Sequence, residues 1–467
     1  MRVSVVCGFF AYGGATLLAV ASARADVVAH PSVVGNDVAL VEVADAKARA
    51  RFDAVPWDEL GKTPRTAGVY TLRLHASGVE AVELPVCAGR RKITLDGVVV
   101  PTPHGPAPLI VRLPDAGMHE LLVDVAVSGY EKRIACGAPP RTGTVKPSKE
   151  GLSLLTFTSP QAAAGGGRAV LFVPAGHDTS KPGALLVGTH PWDGSVWTYA
   201  AYAELLREAT AKDVVLLMPS GLGNSLYTAP AEDEVMRAIG ELTAQVAIDP
   251  RRVSIWGASM GGAGATTIGL HRPDRFAHVT SLFGDSRYDL STYVRSILKD
   301  DAAAHAVNAL DVVDNARHVP VWLIHGEDDH ISPITQSSML ARALTERRYA
   351  VRFDRVPSAG HEGGLVARFL PEIVARAADA HVPEHPSRVT FKSVRADDTD
   401  AYGVHVTRAG GDALVDLERR ADGVHVLRAS GVKAITLMKG ALGAATDAPI
   451  AFEPGVPVVP AHWDTAR

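Results

Sequence analysis

The stretch Arg252-Val253-Ser254-Ile255-Trp256-Gly257-Ala258-Ser259-Met260-Gly261-Gly262 constrains this chain more than any other. A short apolar run of strand character meets Gly-x-Ser-x-Gly, and small residues of helical type, Ala263 to Leu270, follow at once. Strand, motif and helix in that order describe a nucleophile elbow, a strained turn that lifts the serine hydroxyl clear of a buried parallel strand. Gly257 and Gly261 then lie where strand and helix backbones approach each other, and a Cβ at either would collide. The helix N-terminus points N–H groups and positive dipole at negative charge developing on the serine side. Arg272-Pro273-Asp274 ends the helix as a stop signal should. In a chain with 43 glycines the pentapeptide alone also fits a plain glycine-rich turn, so partners elsewhere must decide.

Around the elbow, strands and helical patterns alternate. Ala184–Val187, Val214–Met218, Val253–Trp256, Val279–Phe283, Val321–Ile324 and Val351–Val356 are short buried-strand candidates. Tyr199–Ala209, Glu232–Gln245, Gly262–His271, Ser337–Arg347 and Leu365–Ala380 read as helices. This alternation predicts an α/β fold with a mostly parallel sheet covered on both faces, and ligands beyond the carboxyl ends of its strands. Ser153–Thr158 and Arg168–Val173 precede it as an antiparallel pair. Gly165-Gly166-Gly167 between them is a hairpin turn, since no Lys-Ser/Thr and no helix follow as a phosphate loop requires.

At 467 residues the chain exceeds one typical core. Residues 1–25 have the positive start, apolar centre and Ala23-x-Ala25 of a signal peptide, with cleavage expected after Ala25. The other reading, an uncleaved anchor, is disfavoured by Gly8, Gly13 and Gly14 inside the apolar run. A secreted or periplasmic protein is therefore expected. Cys7 leaves with the signal, and Cys87 and Cys136 form a single even pair for which a disulfide is expected; two separate buried thiols are the alternative. Neither has the neighbours of a metal or redox site, and no cofactor is expected.

Residues 26–140 have period two and turn punctuation, with strands at Val69–Leu74, Val79–Pro85, Lys92–Leu95, Leu109–Leu113 and Leu121–Val127, which predicts a β-sandwich. Ile93-Thr94-Leu95-Asp96-Gly97-Val98 and Gly117-Met118-His119-Glu120-Leu121 resemble jelly-roll domains of the galactose-binding type. That resemblance implies carbohydrate contact, beside the alternative of a purely structural role. Polar residues 141–150 read as a linker and 151–385 as the α/β domain. In 386–467 strands return at Arg388–Phe391, Gly403–Val406, Leu414–Glu418, Val424–Leu427 and Ala434–Leu437, a small β domain with no titratable cluster to mark a site and with histidines on solvated faces. A formal charge of −4 gives no reason to expect nucleic acid as a partner, and no later stretch is long enough to span a membrane.

A serine hydroxyl is a weak nucleophile and needs a base that is itself oriented by a third group. After Val321–Ile324 comes His325-Gly326-Glu327-Asp328-Asp329-His330-Ile331-Ser332-Pro333, and after Val351–Val356 comes Pro357-Ser358-Ala359-Gly360-His361. Ile248-Asp249-Pro250-Arg251-Arg252, Gly257-Ala258-Ser259-Met260-Gly261-Gly262 and His271-Arg272-Pro273-Asp274-Arg275-Phe276-Ala277 resemble the secreted α/β-hydrolases grouped with prolyl-oligopeptidase-type peptidases, feruloyl esterases and polyhydroxybutyrate depolymerases. The likeness covers 151–385. Its H-G-x-x-D-x-x-x-P element implies the acid at Asp329, and its G-H pair implies the base at His361. Asp328 is the competing acid, one residue out of register, and His330 a competing base on the wrong loop.

The oxyanion hole needs two backbone donors. Met260 N–H, directly after the serine, is one. Relatives show His-Gly-x for the other, whereas this chain has Thr189-His190-Pro191-Trp192-Asp193-Gly194. Pro191 has no N–H, which moves the expected donor to Trp192; a packed loop aromatic is the alternative for that residue. Gly221 to Tyr227 resembles the family's loop beside the active site, and its polar groups either line the cleft or cap the helix near Glu232. The expectation is a serine hydrolase acting on a carboxylic ester through an acyl-enzyme. Two rivals stand beside it: a peptidase acting on short peptides, and a non-catalytic carbohydrate- or surface-binding protein on the same scaffold.

Overall fold

Alternation of apolar side chains gives the central sheet two buried faces, and each face carries its own layer of helices. The computed structural model describes residues 27–29, 68–76, 81–84, 90–100, 109–112, 119–127, 151–160 and 167–464 apart from 197, 292–293, 295–296 and 299. The signal, Cys87, Cys136, linker 141–150 and most of the Gly165–Gly167 turn lie outside the described residues.

Eight strands form the sheet: β1 (Gly151–Phe157), β2 (Gly167–Val173), β3 (Gly183–Thr189), β4 (Val214–Pro219), β5 (Ile248–Ala258), β6 (His278–Leu282), β7 (Val321–Gly326) and β8 (Val351–Val356). Their order is β1-β2-β4-β3-β5-β6-β7-β8. The strand β2 is antiparallel to β1 and β4, and every pairing from β4 through β3 to β8 is parallel. The carboxyl ends of β3, β5, β6, β7 and β8 therefore share one edge of the sheet.

Successive strand residues point to opposite faces. Leu186, Leu216, Trp256, Trp322 and Ile324 pack with α1 (Ala203–Lys212) and α5 (Gly363–Asp379). Their neighbours Leu185, Val187, Val215, Ile255 and Leu323 pack with α2 (Ala229–Thr243), α3 (Met260–His271) and α4 (Thr335–Glu346). All residues of α3 are buried, as its small and apolar composition up to Leu270 requires, since a helix without a polar face cannot lie on a surface.

Three boundaries differ from expectation. Tyr199–Ala209 is a 3-10 turn, Tyr199–Ala201, followed by α1. The strand before the elbow begins at Ile248, earlier than its apolar core. Between β6 and β7 the chain makes 3-10 turns at Tyr288–Leu290 and Ala309–His318 and a short helix, Asp301–His305, none of which has a periodicity that predicts it.

In the N-terminal part, strands occur at each of the five expected places, in a five-stranded and a two-stranded sheet. Leu121, Val123 and Val125 are buried while their neighbours are partly exposed. The C-terminal part has two four-stranded sheets around Val389, Phe391, Val415, Leu417, Ile435 and Leu437. The C-terminal part is not free of buried charge: its Arg395 and Asp398 lie in an ionic network with Glu232, His271 and Arg272 of the α/β domain, which joins the two parts and marks no site. Nor is His425 simply solvated, since its ring is held between Asp422 and Glu453.

Candidate active site

At the end of β5, Ser259 has φ 56° and ψ −124° and starts α3. A side chain in that region is strained, and the surroundings hold it there. Ser259 N–H donates to Leu282 O at 2.9 Å and Ala263 N–H to Ser259 O at 3.0 Å. A Cβ on Gly261 would sit 1.8 Å from Thr189 O, and one on Gly257 would sit 2.4 Å from Gly261 O. These contacts are with backbone, so only glycine lets β3, β5 and α3 converge. Tyr199, buried against Trp256 with ring centroids 4.2 Å apart, ties the same point: its hydroxyl donates to Thr189 O and accepts Ala258 N–H, both at 2.9 Å.

The Ser259 hydroxyl donates to His361 Nε2 at 2.8 Å, and His361 Nδ1 donates to Asp329 Oδ2 at 2.7 Å. An ionised carboxylate only accepts, so Nδ1 carries the ring proton and Nε2 is left to accept from the serine. The acid and histidine loops are stitched together independently of these side chains. Asp328 N–H donates to Ala359 O and Glu327 N–H to Val356 O, and Gly326 leaves no room for a Cβ against Ala359 O. Phe283, on the loop after β6, supports the His361 ring with centroids 4.5 Å apart.

Asp329 is buried, whereas Asp328 and His330 on the same loop are exposed. Burial alone would raise the Asp329 pKa, but hydrogen bonds from His325 and His361 and the Ser332 N–H reverse the effect and hold it well below the usual carboxylate range. His325 Nε2 lies 2.8 Å from Ser332 O and 3.3 Å from Asp329 Oδ2, and its Nδ1 accepts from the Ser337 hydroxyl at 2.8 Å. Beneath this loop Asp285 accepts the Ser332 and Ser291 hydroxyls, each at 2.5 Å. Sequence reasoning missed Asp285 and the support from His325. The H-G-x-x-D pattern marked the loop, but nothing marked its anchors.

Met260 directly follows Ser259 as the first residue of α3 and is buried. Trp192 stands on the turn leaving β3 and is 38% exposed. The turn is gripped by the segment after β4. His190 Nδ1 and Nε2 face Pro191 O and Ser220 O, both at 2.8 Å, and burial pushes the ring toward its neutral form. Asn224 makes two bonds to Asp193, and Thr228, which precedes α2, makes no side-chain cap bond. The Gly221–Tyr227 segment therefore clasps the neighbouring loop instead of capping the helix.

A hydroxyl bonded to an oriented imidazole beside a helix N-terminus has the parts needed to attack a carbonyl and move its proton. Among the described residues no group of three or more His, Cys, Asp or Glu side chains is placed to hold a metal, and no helix is long and apolar enough to cross a membrane.

Residues 227–378, which include Ser259, Asp329 and His361, match the model of the Prolyl oligopeptidase family. No curated protein matches the chain. Solved structures similar to it include an S-formylglutathione hydrolase from Agrobacterium tumefaciens, at 17% identity over 50% of this chain and 96% of that one, TM-score 0.45. Also similar are a ferulic acid esterase, at 16% identity over 49% and 96%, TM-score 0.42, and dipeptidyl peptidase 4 of Porphyromonas gingivalis, at 15% identity over 50% and 36%, TM-score 0.42.

Proposed function

We propose that this chain, a serine hydrolase with a Prolyl oligopeptidase family match over residues 227–378, cleaves carboxylic esters through an acyl-enzyme on Ser259. The observation that carries the reading is the unbroken relay from Ser259 Oγ through His361 to Asp329. The serine oxygen attacks the ester carbonyl as its proton passes to His361 Nε2. Asp329, kept ionised by its donors, stabilises the imidazolium and holds the ring. The negative oxygen of the tetrahedral intermediate is met by the Met260 and Trp192 amides. The alcohol departs with the proton from Nε2; a water then attacks the acyl carbonyl, losing its proton to His361, which returns it to Ser259 Oγ as the acid leaves.

An ester is preferred because the chain has no internal repeat of the kind a gating propeller would need. Hydrolysis of short peptides is the second reading, favoured by the family match. Short p-nitrophenyl esters compared with aminoacyl anilides separate the two. Ser259→Ala should keep the thermal unfolding midpoint within a few degrees, lower ester turnover by ~10³-fold or more and abolish labelling by a fluorophosphonate. Turnover close to that of the unaltered protein would end the reading, and a protein that never reacts with the probe would favour a binding role instead.

Export to the cell exterior or periplasm is part of the proposal, supported by the signal-like residues 1–25. So is a galactose-binding-type sandwich over 26–140, supported by the strands at the expected places, with a structural role or carbohydrate contact as the two readings of what it does.

A further inference from the structure

We propose that Asn224 is a positioning residue which, through a two-point clasp on Asp193, aims the Trp192 amide at the developing oxyanion; this rests on the acyl-transfer reading of Ser259. Asn224 Oδ1 accepts the Asp193 backbone N–H and Asn224 Nδ2 donates to Asp193 Oδ1, both at 2.7 Å. Two bonds from one planar amide fix orientation as well as distance. The peptide unit they seize joins Trp192 to Asp193 and meets the unit that carries the Trp192 N–H at the Trp192 Cα, so holding the one limits how far the other can turn.

That turn needs an external hold. Asp193 has φ 58°, left-handed and unfavourable for a residue with a Cβ. Gly194 N–H closes the turn on Pro191 O at 2.9 Å, and a Cβ on Gly194 would come within 2.8 Å of that oxygen. From below, the Tyr227 hydroxyl reaches His190 O at 3.4 Å, and Ser220 O meets the His190 ring. These outside contacts come from one segment, residues 220–227, in which Gly221, Leu222, Gly223, Leu226 and Tyr227 all have positive φ. A segment so tightly wound presents Asn224 at a set height over the β3 turn. Because Asp193 is exposed and Asn224 only half-buried, the clasp adds little to global stability. Its loss is felt in the aim of a donor, which acts in the transition state, and not in substrate binding.

The test uses the full chain and a short p-nitrophenyl ester. Asn224→Asp sets one carboxylate against another and removes a donor. In the N224D/D193N exchange, the carboxylate at 224 accepts the backbone N–H of 193 on one oxygen and the new side-chain amide on the other, restoring both bonds. Losing an oxyanion donor outright costs ~10²–10³-fold in kcat, so a misaimed one should cost roughly 10-fold or more in N224D, with KM within about 2-fold. The affinity for a boronate that mimics the tetrahedral intermediate should fall in parallel, and the exchange should recover most of kcat. The unfolding midpoint should stay within a few degrees in both proteins. Unchanged kcat in N224D, an exchange no better than N224D, or a loss confined to KM would each overturn the clasp. An unaltered protein that neither hydrolyses the ester nor reacts with a fluorophosphonate would overturn the hydrolase reading beneath it, which a silent N224D in an active background would not.

Discussion

Asp328 and Asp329 are one position apart and stand in different media. The first is exposed, with its N–H spent on the loop of the histidine, and the second is buried against two imidazoles. Asp329→Asn should lower kcat by ~10³–10⁴-fold, because a neutral amide no longer selects the Nδ1–H tautomer, while Asp328→Asn should stay within about 2-fold. Ester kinetics on both variants check this. A second residue makes stability depend on pH. His278 at the start of β6 is buried, and burial, with Arg376 adding to it, pushes its pKa down to about 4. The folded protein then binds this proton more weakly than the unfolded chain, so acid favours unfolding. From an ordinary value near 6.5 down to about 4, at ~1.4 kcal/mol per pH unit, the fold should lose roughly 3 kcal/mol through this ring. Urea unfolding from pH 7 to 4 should fall less steeply in His278→Gln; an identical slope would contradict this.

Elements meet at the elbow through backbone, and that explains why small changes there are severe. A Cβ on Gly261 would press on Thr189 O at the end of β3, which cannot move without breaking the β3–β5 pairing. Gly261→Ala should therefore cost ~3 kcal/mol or more, with turnover lost even in the fraction that folds. Tyr199→Phe leaves Thr189 O and Ala258 N–H buried without their shared hydroxyl, and about 1–3 kcal/mol should be lost in chemical unfolding. The glycines were legible from sequence, because only close backbone approach requires them there. Tyr199 was not: it read as a helix residue, and its task depends on β3 and β5 being neighbours, which strand spacing alone does not reveal. The segment between β6 and β7 was equally illegible, since 3-10 turns and a five-residue helix carry no amphipathic period.

Across the whole molecule, the C-terminal β part is locked to the catalytic part by charge. Arg395 Nη2 donates to both oxygens of buried Glu232 at 2.7 Å and its Nε to Asp398 at 2.9 Å, while Asp398 also holds His271 at the end of α3. Breaking a buried pair strands its partner, so Arg395→Ala should destabilise by ~3–5 kcal/mol. The two parts should then unfold in one transition in the unaltered protein and separate in the variant, as calorimetry would show. By itself the sequence determined the α/β class, the places of the strands and the three loops that carry Ser259, Asp329 and His361. The strands and the elbow rest on local pattern, period two and small residues at a crossing, and the acid and base positions on the resemblance of two motifs that follow strands. Only the tertiary structure decided which buried polar groups answer one another, Asn224 with Asp193, Asp285 with Ser332, Arg395 with Glu232. Such pairings join segments far apart in the chain, and a polar side chain carries no periodicity to announce its partner. The strand order and the packing of the helices bring the two within 3 Å.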